Sequence, residues 1–215
     1  MVAHQPSEPQ RLSLETVWRR AVELLEKITG FTLTPTLPAP GETWHWSVLK
    51  FELRPINKAG GAPRGPWGPL GAPQGPPGGP LGAPRGTLYV DLWARKDKTR
   101  LLAQFTIRGS KQMDYPLKRG WELGGPLSRA CVVEDNGCLR QIPCCALVSN
   151  FAPPARLSNS EKGDDAEEAL LLLRDSKITE NESLHLLHEL GHVIHGLLSR
   201  TELQHLSGKP PNPKP

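Results

Sequence analysis

At 215 residues the chain is long enough to bury one good-sized core and short for two independent domains. Its formal charge of +4 comes from basic residues scattered among acids, with no Lys/Arg block or aromatic-basic stripe, which excludes a nucleic-acid footprint. Unbroken apolar runs such as Ala169–Leu173 fall far short of the roughly 20 residues a membrane span needs, and "MVAHQPSEPQ" has neither an apolar signal core nor an Arg/Ser-rich amphipathic presequence.

The first twelve residues read as a flexible N-terminus. From Ser13 to Thr29, Leu14, Val17, Trp18, Ala21, Leu24, Leu25 and Ile28 recur at helical spacing, with Ser13 as N-cap and Gly30 as the stop. "FTLTPTLPAPGETW" follows as a Pro-punctuated extended segment, and "SVLKFELR" reads as a strand. Residues 59–86 break the pattern. Eighteen of these 28 positions are Gly or Pro, and the glycines do not fall every third residue, so the stretch is not collagen-like. It has too little apolar surface to offset the entropy of ordering, which predicts a disordered insertion.

Order returns with "TLYVDLWARKDKTRLLAQFTIRG", two strands joined by the charged turn Lys96-Asp97-Lys98-Thr99. "RQIPCCALVSNF" is apolar on both faces and predicts a buried strand. The cysteines Cys131, Cys138, Cys144 and Cys145 form no C-x-x-C pair, and Cys144 and Cys145 are adjacent in a strand, so they point to opposite faces and cannot share a ligand. They read as buried, reduced thiols of an intracellular protein. "DAEEALLLLRD" looks helical, and Thr179-Glu180-Asn181-Glu182 fits a capping box that opens a helix running to about Leu198.

That last helix carries His188-Glu189-Leu190-Gly191-His192, an H-E-x-x-H motif. Residues four apart share a helix face, so His188 and His192 can chelate one ion, with Glu189 beside them to take the proton of a water the ion acidifies. Imidazole and carboxylate suit zinc, and the same site can also take manganese or cobalt. Leu184, Leu187, Leu190, Ile194 and Leu197 form an apolar stripe, next to one of His185, His188, His192 and His195. Gly191 is costly inside a helix, which predicts a close approach of another backbone there. His195 lies about 10 Å from His188 along the axis, too far for both to reach one ion, and is expected to act behind the ligands or in packing. The metzincin extension is excluded, because His195 stands where its glycine belongs and Leu198 where its third histidine belongs.

"HELGHVIHGLLSRTELQHLSG" closely resembles the motif region of the thimet oligopeptidase family of zinc metallopeptidases, and within it the mitochondrial intermediate peptidase branch. The upstream segments follow in the family's order: "LSLETVWRRAVELLEKITGFTLTPTLPAPGETW", then "LYVDLWARKDKTRLLAQFTIRG" like the family's hairpin, then "QIPCCALVSNF". The resemblance implies an α+β fold, a mainly helical catalytic region with a small sheet before the motif helix. Residues 13–58 and 87–208 would form part of that domain, interrupted by the insertion and followed by a flexible tail at 209–215. It implies a zinc endopeptidase acting on short, extended peptides or on precursor N-termini, with no nucleic-acid or membrane partner, in the mitochondrial matrix. His188 and His192 would be metal ligands and Glu189 the general base. Gly191, His195, Gln204, His205, Ser207 and Gly208 would border the substrate cleft, and an extended substrate would add main-chain hydrogen bonds to the sheet. The family's third ligand, a glutamate, would fall near position 217, roughly 25 residues after His192 and beyond Pro215. Glu202 is the nearest other carboxylate, but it lies just past the motif helix. Those departures keep a second reading open: a non-catalytic remnant that binds a peptide or protein through the sheet edge and the insertion.

Overall fold

The computed structural model describes residues 11–56, 83–99, 102–112, 132–135, 138–159 and 166–201. Most of the Gly/Pro-rich insertion and the positions Glu202, Gln204, His205, Ser207 and Gly208 lie outside them, as does the tail.

Helix α1 (Leu14–Thr29) begins and ends where its caps require. The Ser13 hydroxyl accepts from the Thr16 N–H, and Gly30 closes the helix at φ 74°, a left-handed conformation that favours glycine. Leu14, Trp18, Val22 and Leu25 face the core, and the Trp18 ring meets Phe51 at 5.0 Å. Leu24 and Ile28, predicted on the same apolar face, are instead exposed.

The main sheet is mixed, in the order β2-β3-β4-β9-β5. It comprises β2 (Phe31–Thr36), β3 (Leu49–Pro55), β4 (Gly86–Trp93), β5 (Ala103–Arg108) and β9 (Cys144–Phe151). Pro35 is accommodated because β2 is an edge strand. β4 runs parallel to β9 and the remaining pairs are antiparallel. β4 and β5 therefore do not form the hairpin expected from their order, since β9 lies between them. Burial explains the insertion: Cys144, Cys145, Ala146 and Leu147 are all buried and belong in mid-sheet, whereas Phe105, Thr106 and Ile107 are exposed and tolerate an edge. β9 also starts four residues later than the sequence suggests. Arg140 and Gln141 belong to β8 (Cys138–Gln141), which joins β6 (Lys111–Gln112) and β7 (Val132–Asp135) in a second sheet.

Two boundaries of the sequence reading move. Arg11 and Leu12, assigned to a flexible N-terminus, form strand β1 (Arg11–Ser13) against β10 (Lys177–Thr179). Gly86, assigned to the insertion, already begins β4, where an added Cβ would lie 3.0 Å from Cδ2 of Leu197. Short helices α2 (Ala155–Asn159) and α3 (Ala166–Asp175) then lead to α4 (Glu180–Leu198). The buried Ser176 binds this junction together, its hydroxyl accepting from the Trp93 indole and donating to the Leu172 carbonyl.

α4 opens with the predicted capping box. The Thr179 hydroxyl accepts from the Glu182 N–H, and the Glu182 carboxylate accepts from the Thr179 N–H at 2.7 Å. Thr179→Ala is expected to cost about 1 kcal/mol, read as a shift of the denaturation midpoint. An unchanged midpoint would show that packing alone holds the first turn. The core side of α4 is Leu186, Leu190, Val193 and Leu197, rotated from the predicted stripe, and Leu184 and Leu187 stand exposed. The helix lies close on the sheet at Gly196. An added Cβ there would lie 3.3 Å from the Cys145 sulfur. Gly191 has no such role, because the space beside it is open among the described residues.

Candidate metal centre

The site is built on the middle of α4, where Leu190 and Val193 are buried below and the histidines look out. The Nε2 atoms of His188 and His192 stand 3.2 Å apart, with the rings edge-on. Ligand atoms of His188, Glu189 and His192 all lie within 4.8 Å of one another. Glu189 is half-buried, and its Oε2 accepts a hydrogen bond of 2.9 Å from the backbone N–H of Gln104.

This donor set fits a zinc ion. Two nitrogens about 2.0–2.1 Å from a tetrahedral centre lie about 3.3 Å apart, close to the separation present. The two imidazoles are brought to that separation by the i, i+4 geometry alone. Glu189 is fixed from outside the helix. β5 is an edge strand, and in an antiparallel ladder alternate residues turn their N–H groups away from the partner strand. Gln104 is such a residue, and its outward N–H holds the carboxylate. Its side chain secures the strand in turn, with Nε2 donating to Thr106 Oγ1 and the amide also bonded to the Cys145 thiol. Burial pushes that thiol up to about 11, against the opposing hydrogen bonds from Gln104 and Thr106, so it is a packing group and not a nucleophile.

Of the other predicted positions, Gly191 and His195 are exposed on α4, and His195 is not part of the converging group. The sequence reading missed Gln104, since a backbone donor leaves no mark in composition or spacing. It also missed Gly196 as the packing glycine, and read Lys98 only as part of a charged turn. The Lys98 side chain is only 5% exposed and pairs with Asp91. Cys144 and Cys145 are buried thiols and neither is in a disulfide, as predicted.

Residues 82–212, more than half of the chain, match Peptidase family M3. The chain belongs to that family. This M3 chain is 28% identical to the mitochondrial intermediate peptidase of Yarrowia lipolytica over 96% of its own length and 21% of the relative's. It is 27% identical to the protein of that name in Aspergillus fumigatus over 93% of its length and 21% of the relative's. With the Arabidopsis thaliana protein of that name it shares 29% identity over 86% of its length and 17% of the relative's. The chain thus spans about one fifth of the length of the curated relatives it matches. Among the described residues, no helix is long and apolar enough to cross a membrane.

Proposed function

We propose that this chain carries the metal-binding helix and general base of a zinc-dependent metalloendopeptidase. The observation that carries the reading is the convergence of His188, His192 and Glu189, with the carboxylate held by Gln104. His188 and His192 would hold the ion through Nε2. When bound, zinc supplies positive charge that acidifies water and polarises a peptide carbonyl. Glu189 takes a proton from the attacking water at Oε and returns it to the departing amine. The Gln104 hydrogen bond keeps Glu189 from drifting into solvent, so the base is already in position before substrate arrives. The exposed edge of β5 beside it suits an extended peptide, which fits substrates that are short or unfolded. Gly191 and His195 on α4, with Gln204, His205, Ser207 and Gly208 beyond it, are the further candidates for the cleft wall. The relatives' name extends the proposal to trimming of precursor N-termini in mitochondria.

Equilibrium dialysis of the protein against zinc tests the metal site. One ion per chain is expected, with affinity falling by about 10²-fold or more in His192→Ala, since the variant keeps only one of the two imidazoles that hold the ion. Equal binding by wild type and variant would place the metal elsewhere and sink the proposal. The second reading, a binding module without chemistry, predicts peptide binding that is indifferent to zinc.

A further inference from the structure

A second site lies at the C-terminal end of β4, on residues that take no part in the metal group. A cavity of about 240 Å³ opens there, lined by His45, Trp46, Trp93, Arg95, Pro153 and Leu157 among others. Its polar side chains are His45, Ser47 and Arg95, with the Ser47 hydroxyl engaged by His45 Nδ1 at 2.8 Å. The Arg95 guanidinium lends one N–H from each terminal nitrogen to Asp91, at 2.7 and 2.9 Å, and its other three N–H groups find no partner among the described residues. In His45, Nδ1 accepts from the Ser47 backbone N–H at 3.2 Å, so the neutral ring carries its proton on Nε2. Burial, and then the neighbouring Arg95 cation, hold this imidazole below its usual range and keep it neutral. Nε2–H likewise has no partner among the described residues.

The charge beneath the cavity has one sign. Asp91, 2% exposed, is met by two cations, Arg95 and Lys98, which leaves the cluster one positive charge in excess. Asp91 cannot take more donors. Its two oxygens already accept from Arg95 twice, from Lys98 and from the Trp44 indole. The walls are two indoles, a proline and a leucine.

We propose that this cavity binds a carboxylate carried on an apolar group, with Arg95 and the His45 Nε2–H as donors and Trp46, Trp93 and Leu157 as walls. Donors without acceptors, on a positive cluster, select an anionic acceptor, and the planar guanidinium fork matches a carboxylate. The volume is below that of a pocket for a drug-sized ligand, so the occupant is small: a free carboxylic acid or the last residue of a peptide. The site does not depend on the metal reading, because none of its residues lies on α4.

The test uses the full chain and two pairs of probes. The first pair is N-acetyl-leucine and its amide; the second is a peptide of three alanines and a C-terminal leucine, as acid and as amide. Binding is followed by tryptophan fluorescence and by the NMR signals of the His45 ring. Each acid is expected to bind about tenfold or more tightly than its amide. His45→Asn keeps an acceptor for the Ser47 N–H but loses the ring donor, and Arg95→Lys keeps the charge on Asp91 but loses the fork. Each is expected to lower acid affinity severalfold and leave the amide unchanged, with circular dichroism confirming the fold. Tighter binding of the peptide acid than of acetyl-leucine would identify a peptide terminus as the occupant, and equal binding a small free acid. Equal affinity for acid and amide, or no saturable binding of either acid, would overturn the proposal.

Discussion

Replacing Glu189 by glutamine is expected to lower peptide hydrolysis by the zinc-loaded protein by about 10²–10⁴ while leaving zinc stoichiometry unchanged. The substitution separates position from chemistry. Glutamine has the same shape, and its carbonyl oxygen can accept the Gln104 N–H that now meets Glu189 Oε2 at 2.9 Å. A carboxamide cannot take a proton from water, so only the proposed base function is removed. Hydrolysis in a peptide assay and metal content by atomic absorption then report independently. Loss of metal together with activity would make Glu189 a ligand instead of the base. Undiminished hydrolysis would place the base on another residue.

The largest effect on stability is expected at Asp91. Its carboxylate lies at the centre of four donors from three side chains, and Asp91→Ala strands the Lys98 ammonium, 5% exposed, without its counter-ion. Removing one partner of a buried pair typically costs about 3–5 kcal/mol, and the lower end applies here because Arg95 keeps partial access to water. Urea unfolding checks this, and a loss below about 1 kcal/mol would show that water replaces the carboxylate. The pH dependence follows from the same contacts. Burial by itself would raise the Asp91 pKa, but the bonds from Arg95, Lys98 and Trp44 outweigh it and hold the group below the ordinary carboxylate range. The Lys98 ammonium is also lowered, by burial that its pairing with Asp91 only partly offsets. The two partners thus move against one another, and Asp91 sets the state of the cluster because it collects every donor. Its contribution is complete above the unfolded carboxylate value, about 3.9, and is lost as the pH falls through the lower folded value. Wild type and Asp91→Ala should therefore converge in stability in acid and diverge towards neutrality.

Features set by chemistry within a turn or a strand were legible in the residues alone. Ser13 and Gly30 bounded α1, and Thr179 with Glu182 opened α4, because caps act on backbone groups within one turn. The spacing of His188 and His192 placed two imidazoles together, because a helix brings residues four apart to one face. The burial of Cys144 to Leu147 was legible too, because a strand apolar on both faces has to be covered on both.

Contacts between residues far apart in the chain decided the rest. Nothing in "LYVDLWARKDKTRLLAQFTIRG" announces that β9, arriving some forty residues after β5, will separate its two strands: a hairpin satisfies local rules equally well, and the choice is made by which strand must be buried. The α4 stripe was misread by a fraction of a turn, since Leu184 and Leu187 are as apolar as Leu186 and Leu190, and only the packing of the helix on the sheet, with Gly196 close to Cys145, decides which of them are covered. The hold of Gln104 on Glu189 spans 85 positions and uses a backbone N–H that every residue except proline possesses. Its specificity lies in where the strand ends up, and that is a property of the assembled sheet.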